Sequence, residues 1–147
     1  MWAQIFRFLR HPRKPAILAL CRPDAKKNLP TLLRAYGESP ALRELANLVL
    51  VMGNRDDLEA TAAAARKTLE GVLRLVDGYD LYGSVAYPKH HAQAQVTDIY
   101  RYAAATRGVF VNIALQACPL RSSPALGRSS GSSALPRAPP SAAVTFV

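Results

Sequence analysis

A short basic turn near the start of the sequence carries the side chains best suited to chemistry: Arg22-Pro23-Asp24-Ala25-Lys26-Lys27-Asn28. The apolar run 16–20 precedes it and a helix-like pattern follows it. Backbone N–H groups and the positive end of a helix dipole meet at such a junction, where Arg22 and Lys27 add full charges that suit a diphosphate. The segment therefore predicts a phosphate-binding turn. A surface turn whose basic residues are merely solvated remains the alternative.

Two further loops are candidates for the same site. Gly53 lacks a Cβ and would let the backbone approach a ligand closely, with Asn54 and Arg55 orienting its turn, although a tight turn that needs only glycine explains it equally well. The adjacent acidic residues Asp56 and Asp57 are expected to cap a helix and are given no catalytic role.

The other loop is Tyr87-Pro88-Lys89-His90-His91. Adjacent histidines do not share one face of a helix or strand, so a pair of metal ligands is not expected there. Partly exposed loop histidines are the favoured interpretation, and no metal site is predicted.

Apolar periodicity gives the elements that must position these loops. It predicts strands over 16–21, 47–52, 81–87 and 108–113, and helices over about 2–9, 28–36, 58–76 and 96–103, with a helical turn near 42–46. Continuous apolar strands that alternate with helices predict an α/β fold with a partial Rossmann-like parallel sheet of four strands and an exposed edge. The loops at Arg22, Gly53 and Tyr87 then fall at the carboxyl ends of the strands, where such sheets bind ligands.

The chain of 147 residues can bury one core of ordinary size. We expect an amphipathic helix and linker over 1–14, a nucleotide-sugar-binding unit over 15–116, and a disordered tail rich in Ser, Pro, Arg and Ala over 117–147. No segment reads as a targeting or membrane-spanning sequence, and Cys21 and Cys118 suggest neither a disulfide framework nor a zinc site. The expected compartment is the reducing cytoplasm.

A formal charge of +9, from 19 Lys and Arg against 10 Asp and Glu, raises nucleic acid as a partner. Much of that excess lies in the first 14 residues and in the tail. Elsewhere acidic and basic residues interleave, and no stripe of basic and aromatic residues suited to base stacking is present. Nucleic-acid binding is therefore the last of the functions considered.

Four strings within residues 2–115 resemble plant sucrose-phosphate synthases: Arg-Pro-Asp-x-Lys-Lys-Asn, Arg-Glu-Leu-Ala-Asn-Leu, Gly-Asn-Arg-Asp-Asp and Tyr-Pro-Lys-His-His. The resemblance implies a retaining, metal-independent glycosyltransferase with two facing Rossmann-like domains and no cofactor. In that family the C-terminal domain holds UDP-glucose and the N-terminal domain holds fructose 6-phosphate. This chain would correspond to the first part of the C-terminal domain.

By that resemblance, Arg22 and Lys27 contact the donor diphosphate. The Gly53-Asn54-Arg55 and Tyr87-Pro88 loops are likewise implied to border the nucleotide pocket. The expected partners are therefore UDP-glucose and UDP, bound weakly.

Beyond Asn112 the sequence departs from the family, which continues with Pro-Ala-Leu, a Glu-Pro-Phe-Gly turn and a helix with a second glutamate, whereas Ile113-Ala114-Leu115-Gln116 follows here. No catalytic set is complete. We therefore expect a truncated glucosyltransferase that is inactive alone. An interaction fragment that pairs its sheet edge with a full-length synthase is the alternative.

Overall fold

A computed structural model describes residues 1–55, 57 and 59–115, and the backbone of residues 143–146. The helices are α1 (Trp2–Phe6), α2 (Leu29–Gly37), α3 (Pro40–Leu45), α4 (Ala63–Gly78) and α5 (Val96–Ala105). The strands are β1 (Ala16–Leu20), β2 (Asn47–Val51), β3 (Val85–Ala86), β4 (Val109–Asn112) and β5 (Ala143–Phe146). Short 3₁₀ turns lie at Ala25–Lys27 and Gln93–Gln95.

The five strands form one sheet in the order β3-β2-β1-β4-β5. The strands β1 to β4 run parallel to one another, and β1 and β2 pair along their whole length, from Ala16 opposite Asn47 to Leu20 opposite Val51. The predicted α/β fold with a Rossmann-like parallel sheet is therefore confirmed. The turns that follow β1, β2 and β3 all leave the sheet at its carboxyl edge.

Helices cover both faces of the sheet because the side chains of β2 alternate between them. Leu48 and Leu50 pack into a core with the buried residues of α2 and α4, while Val49 and Val51 pack into a second core with those of α1 and α5. All four of these β2 side chains are fully buried. Each contributes about 1.5–3 kcal/mol relative to exposure, so this two-sided burial fixes the central strands that carry the loops.

The strand β5 was not expected from the sequence. It pairs antiparallel with β4 over four residues, from Val109 opposite Phe146 to Asn112 opposite Ala143. Residues 117–142 of the predicted tail lie outside the described residues, and Ala143–Phe146 is an exception to the disorder expected of that tail. The edge of β4 is consequently covered by the chain itself.

Two elements begin later than apolar periodicity predicts. The helix expected from about residue 58 starts at Ala63, because the Asp57 carboxylate accepts a hydrogen bond from the Glu59 N–H (2.8 Å) and the Thr61 hydroxyl donates to the Asp57 carbonyl (2.7 Å). The prediction that Asp57 caps a helix is therefore wrong, since it closes a separate turn. Similarly, β3 is reduced to Val85–Ala86 because Ser84 and Val85 donate back to the Leu81 carbonyl.

Candidate functional site

The basic turn after β1 has a defined local structure. Asp24 begins the 3₁₀ turn, where its carboxylate accepts from the Lys26 N–H (2.9 Å) and its carbonyl accepts from the Lys27 N–H (2.9 Å). Asn28 ends the turn in the left-handed region (φ 55°), and α2 begins immediately after it. Asn28 stands at the predicted cap position, but its side chain accepts from the Thr31 hydroxyl (2.7 Å) and not from a helix N–H.

The backbone of this turn offers few free donors to an anion. The N–H groups of Lys26, Lys27 and Asn28 all donate hydrogen bonds within the turn. The Thr31 N–H donates to the Asn28 carbonyl, and Pro30 has no N–H. Most of the backbone N–H groups that were predicted to bind an anion at the start of α2 are thus already hydrogen-bonded within the chain. Attraction for an anion at this turn depends mainly on charged side chains.

An open cleft of about 650 Å³ lies beside the turn, and Arg22 and Lys27 both line it. The structure thus places these two predicted cations on one cleft, and their contact with a diphosphate stays a prediction. Lys26 and Asp24 are the other charged residues of the lining, which gives the cleft wall a net charge of +2. The rest of the lining is small or apolar, with Pro23 in the turn, Ala62, Ala64 and Ala65 around the start of α4, and Ala114 after β4.

A second pocket of about 250 Å³, the side pocket, adjoins this cleft through Arg22, which lines both. The side pocket combines apolar side chains with His91 and Gln93, and its full lining is Leu20, Cys21, Arg22, Gly53, His91, Gln93 and Val96. The His91 Nδ1 atom is buried and has no hydrogen-bond partner among the described residues. The side pocket therefore has polar lining side chains beside an apolar wall.

Gly53 reaches the side pocket with a φ of +73°, a conformation that residues with a Cβ rarely adopt. A Cβ added there would meet the Pro23 Cδ at 3.9 Å, an ordinary contact. Glycine is therefore required at position 53 by the backbone conformation and not by crowding from neighbouring atoms.

Asn54 and Arg55 bind the loop after β2 to the loop after β3. The Arg55 guanidinium donates to the carbonyls of Tyr87 (2.7 Å) and Pro88 (3.4 Å), and its N–H donates to the Lys89 carbonyl (3.1 Å). The Asn54 side-chain oxygen accepts from the His91 N–H (2.7 Å). Burial lowers the pKa of the Arg55 guanidinium, which nevertheless stays charged at neutral pH. Both side chains are thus committed to holding the two loops together.

Together these hydrogen bonds form a clamp between the two loops. Tyr87 and Pro88 take part in it through their carbonyl oxygens. The Tyr87 ring packs against Phe8 with ring centroids 4.7 Å apart, and Pro88 is buried. Neither residue lines the cleft or the side pocket. Of the loop residues predicted to border a nucleotide, Gly53 reaches a pocket directly, while Asn54, Arg55, Tyr87 and Pro88 support its wall.

These cavities are also lined by three residues to which the sequence analysis assigned no part in binding: Cys21, Lys26 and His91. Burial raises the pKa of the Cys21 thiol, an effect that nearby Lys27 partly offsets. Lys26 stands inside the basic turn, so its type and position were a usable signal. His91 could not be placed from sequence, because its approach to Gly53 depends on the clamp between the two loops.

The described ranges contain neither a membrane-spanning helix nor a cluster of metal-binding side chains. No helix there is long and apolar enough to cross a bilayer, and α4, at 16 residues, is the longest of them. In the same ranges, no three His, Cys, Asp or Glu side chains converge closely enough to hold a metal ion.

Curated relatives match most of this chain but only a small part of their own length. A probable sucrose-phosphate synthase 5 of Oryza sativa subsp. japonica is 61% identical over 115 residues, which is 78% of this chain and 11% of the relative. Sucrose-phosphate synthase 4 of Arabidopsis thaliana and the sucrose-phosphate synthase of Zea mays are each 60% identical with the same coverage. No protein-family profile matches the chain.

Proposed function

Because the chain is homologous over 78% of its length to a segment of the plant sucrose-phosphate synthases, we propose that it binds UDP-glucose and UDP in its basic cleft. Arg22 and Lys27 hold the diphosphate. The site belongs to a transferase reaction in which glucose passes from UDP-glucose to fructose 6-phosphate, giving sucrose 6-phosphate and UDP. The observation that carries the proposal is the presence of both cations on one open cleft of about 650 Å³ at the carboxyl edge of the sheet.

Both cations would assist the departure of UDP. The leaving diphosphate gains negative charge as its bond to glucose breaks, so a fixed positive charge stabilises the transition state more than the ground state. Arg22 presents a planar fork of donors that can bridge two phosphate oxygens, and Lys27 presents a compact charge. Their different shapes allow them to contact different oxygens of one diphosphate.

The side pocket is proposed to receive the nucleoside end of the ligand. It adjoins the cleft through Arg22, and its apolar wall can cover a flat ring while His91 and Gln93 offer polar contacts. The clamp formed by Asn54 and Arg55 would keep that wall in place.

We expect the chain alone to catalyse transfer far more slowly than a full-length synthase. It spans about 11% of the length of its relatives, and no glutamate follows Glu70 in its sequence. Positioning of the acceptor and hydrogen bonds to the donor sugar each contribute several kcal/mol to such reactions. An assay of the purified chain with UDP-glucose and fructose 6-phosphate tests this, and turnover near that of a full-length synthase would contradict it.

Titration calorimetry with UDP tests the proposed site. Arg22→Ala and Lys27→Ala should each weaken binding about tenfold or more, because each removes a charge-assisted contact worth about 1.5–3 kcal/mol. Arg74→Ala is the matched control, since Arg74 is exposed on α4 and lines neither cavity. Unchanged affinity in both cleft variants, or no UDP binding by the unaltered chain, would overturn the proposal.

A further inference from the structure

Lys26 lines the same cleft as Arg22 and Lys27, although the sequence pattern assigned it no part in binding. We propose that Lys26 is a third cation for the diphosphate and that it favours a free terminal phosphate over one esterified to a sugar. This inference rests on the proposed function, because it names a further contact within the same cleft.

The backbone of Lys26 is held on both sides. Its N–H donates to the Asp24 carboxylate (2.9 Å), and its carbonyl accepts from the Leu115 N–H (2.8 Å), which ties the turn to the chain that follows β4. Ala114, next to Leu115, lines the cleft as well. The root of the Lys26 side chain is therefore fixed at the rim of the cavity, even though its end is exposed to solvent.

The two adjacent lysines approach the cleft from different directions. They occupy a 3₁₀ turn, in which consecutive side chains point about 120° apart. Lys27 is partly buried and also lines a narrow crevice beside Cys21 and Asn112, whereas Lys26 is exposed. By exposure, Lys27 is the inner and Lys26 the outer of the two cations.

The outer position matters for discrimination between ligands. A terminal phosphate has a second pKa near 6 and carries nearly two negative charges at neutral pH, while the same phosphate esterified to a sugar carries about one. A cation near that phosphate therefore attracts UDP more strongly than UDP-glucose. Asp24 is the one carboxylate in the described lining, and it accepts a hydrogen bond from the Lys26 N–H. With Arg22, Lys26 and Lys27 as the cations, the cleft wall keeps a net charge of +2.

Titration calorimetry of the full chain with UDP, UDP-glucose and inorganic pyrophosphate provides the test. Lys26→Ala should weaken UDP and pyrophosphate binding about three- to fivefold and UDP-glucose binding by a smaller factor, as expected for one solvent-exposed charge. Lys26→Arg keeps the charge and should stay within about twofold of the unaltered chain. Lys67→Ala is the matched control, since Lys67 is exposed on α4 and does not line the cleft. Circular dichroism of each variant verifies its fold.

The outcomes separate this inference from the proposed function. If Lys26→Ala binds UDP normally while Arg22→Ala and Lys27→Ala do not, Lys26 has no part in binding and the proposed site stands. Equal losses for UDP and UDP-glucose would overturn the preference for a free terminal phosphate. Absence of UDP binding by the unaltered chain would overturn both proposals.

Discussion

Arg55 shows how a cationic side chain can support a site without touching a ligand. Its guanidinium satisfies the carbonyls of Tyr87 and Pro88, and Pro88 is itself buried. A buried carbonyl left without a donor costs about 1–3 kcal/mol. Arg55 therefore holds the wall of the side pocket, and in the proposed function it would affect binding only through that wall.

Arg55→Ala should lower the free energy of unfolding by about 2 kcal/mol and also weaken UDP binding, because two carbonyls lose their donor and the loops separate. Arg55→Lys should recover only part of the stability, since an ammonium group cannot reproduce the planar fork. Urea unfolding measures the first effect and calorimetry the second. Arg66→Ala is the control, as its 3.8 Å pair with Glu70 is half-exposed and worth under about 1 kcal/mol. A loss in Arg55→Ala no larger than that in Arg66→Ala would contradict this role.

The charged residues of the site differ in how far sequence could place them. Arg22 and Lys27 were predictable as neighbours because they belong to one turn, whose position after a buried strand is visible in the pattern. Both line one open cleft, and their binding of a diphosphate stays a prediction. The place of His91 depends on a hydrogen bond to Asn54 that joins two distant loops, and no local pattern encodes such a bond.

At the scale of elements, the interiors of helices and strands follow periodicity, and their ends follow local hydrogen bonds. The interiors of α2 and α4 fall within the predicted helical ranges because burial of one face fixes them. The start of α4 was predicted five residues too early, since the Asp57 turn competes with the helix. The strand β5 was missed, although Val144, Thr145 and Phe146 are residues that favour strands.

Two glycines in different elements should respond oppositely to alanine. Gly71 lies inside α4 with no atom within 4 Å of an added Cβ, so Gly71→Ala should raise the free energy of unfolding by about 0.5–1 kcal/mol. Gly53 has a positive φ, so Gly53→Ala should lower it by about 1–2 kcal/mol. Thermal and urea unfolding of both variants provide the measurement. A shift of both in the same direction would refute the assignment of their backbone roles.

At the scale of the whole molecule, the sheet has two edges of unequal character. One edge is β3, which has only two residues, and the other is β5, which covers β4 along its full length. Short edge strands and covered edges both limit pairing with another chain. The sequence-based alternative of an interaction fragment depended on an open edge, and the β4 edge is occupied in this structure.

Removal of residues 143–147 should expose the outer backbone groups of β4 and promote self-association. Light scattering after size-exclusion chromatography should then give a larger molar mass for the shortened chain, as dimers or higher species, than for the full chain at the same concentration. Removal of Val147 alone is the control, because it leaves all four pairs between β4 and β5 intact. A shortened chain that keeps the mass and the stability of the full one would show that β5 does not protect this edge.

The clamp between Asn54, Arg55 and the loop after β3 also bears on the thermodynamics of recognition. Two separate flexible loops would each lose conformational entropy when a ligand ordered them, and that loss would subtract from affinity. Here four hydrogen bonds between the chain's own groups hold the loops against each other. In the proposed complex, a nucleotide in the side pocket would therefore meet a preorganised wall, and more of its contact energy would be available as affinity.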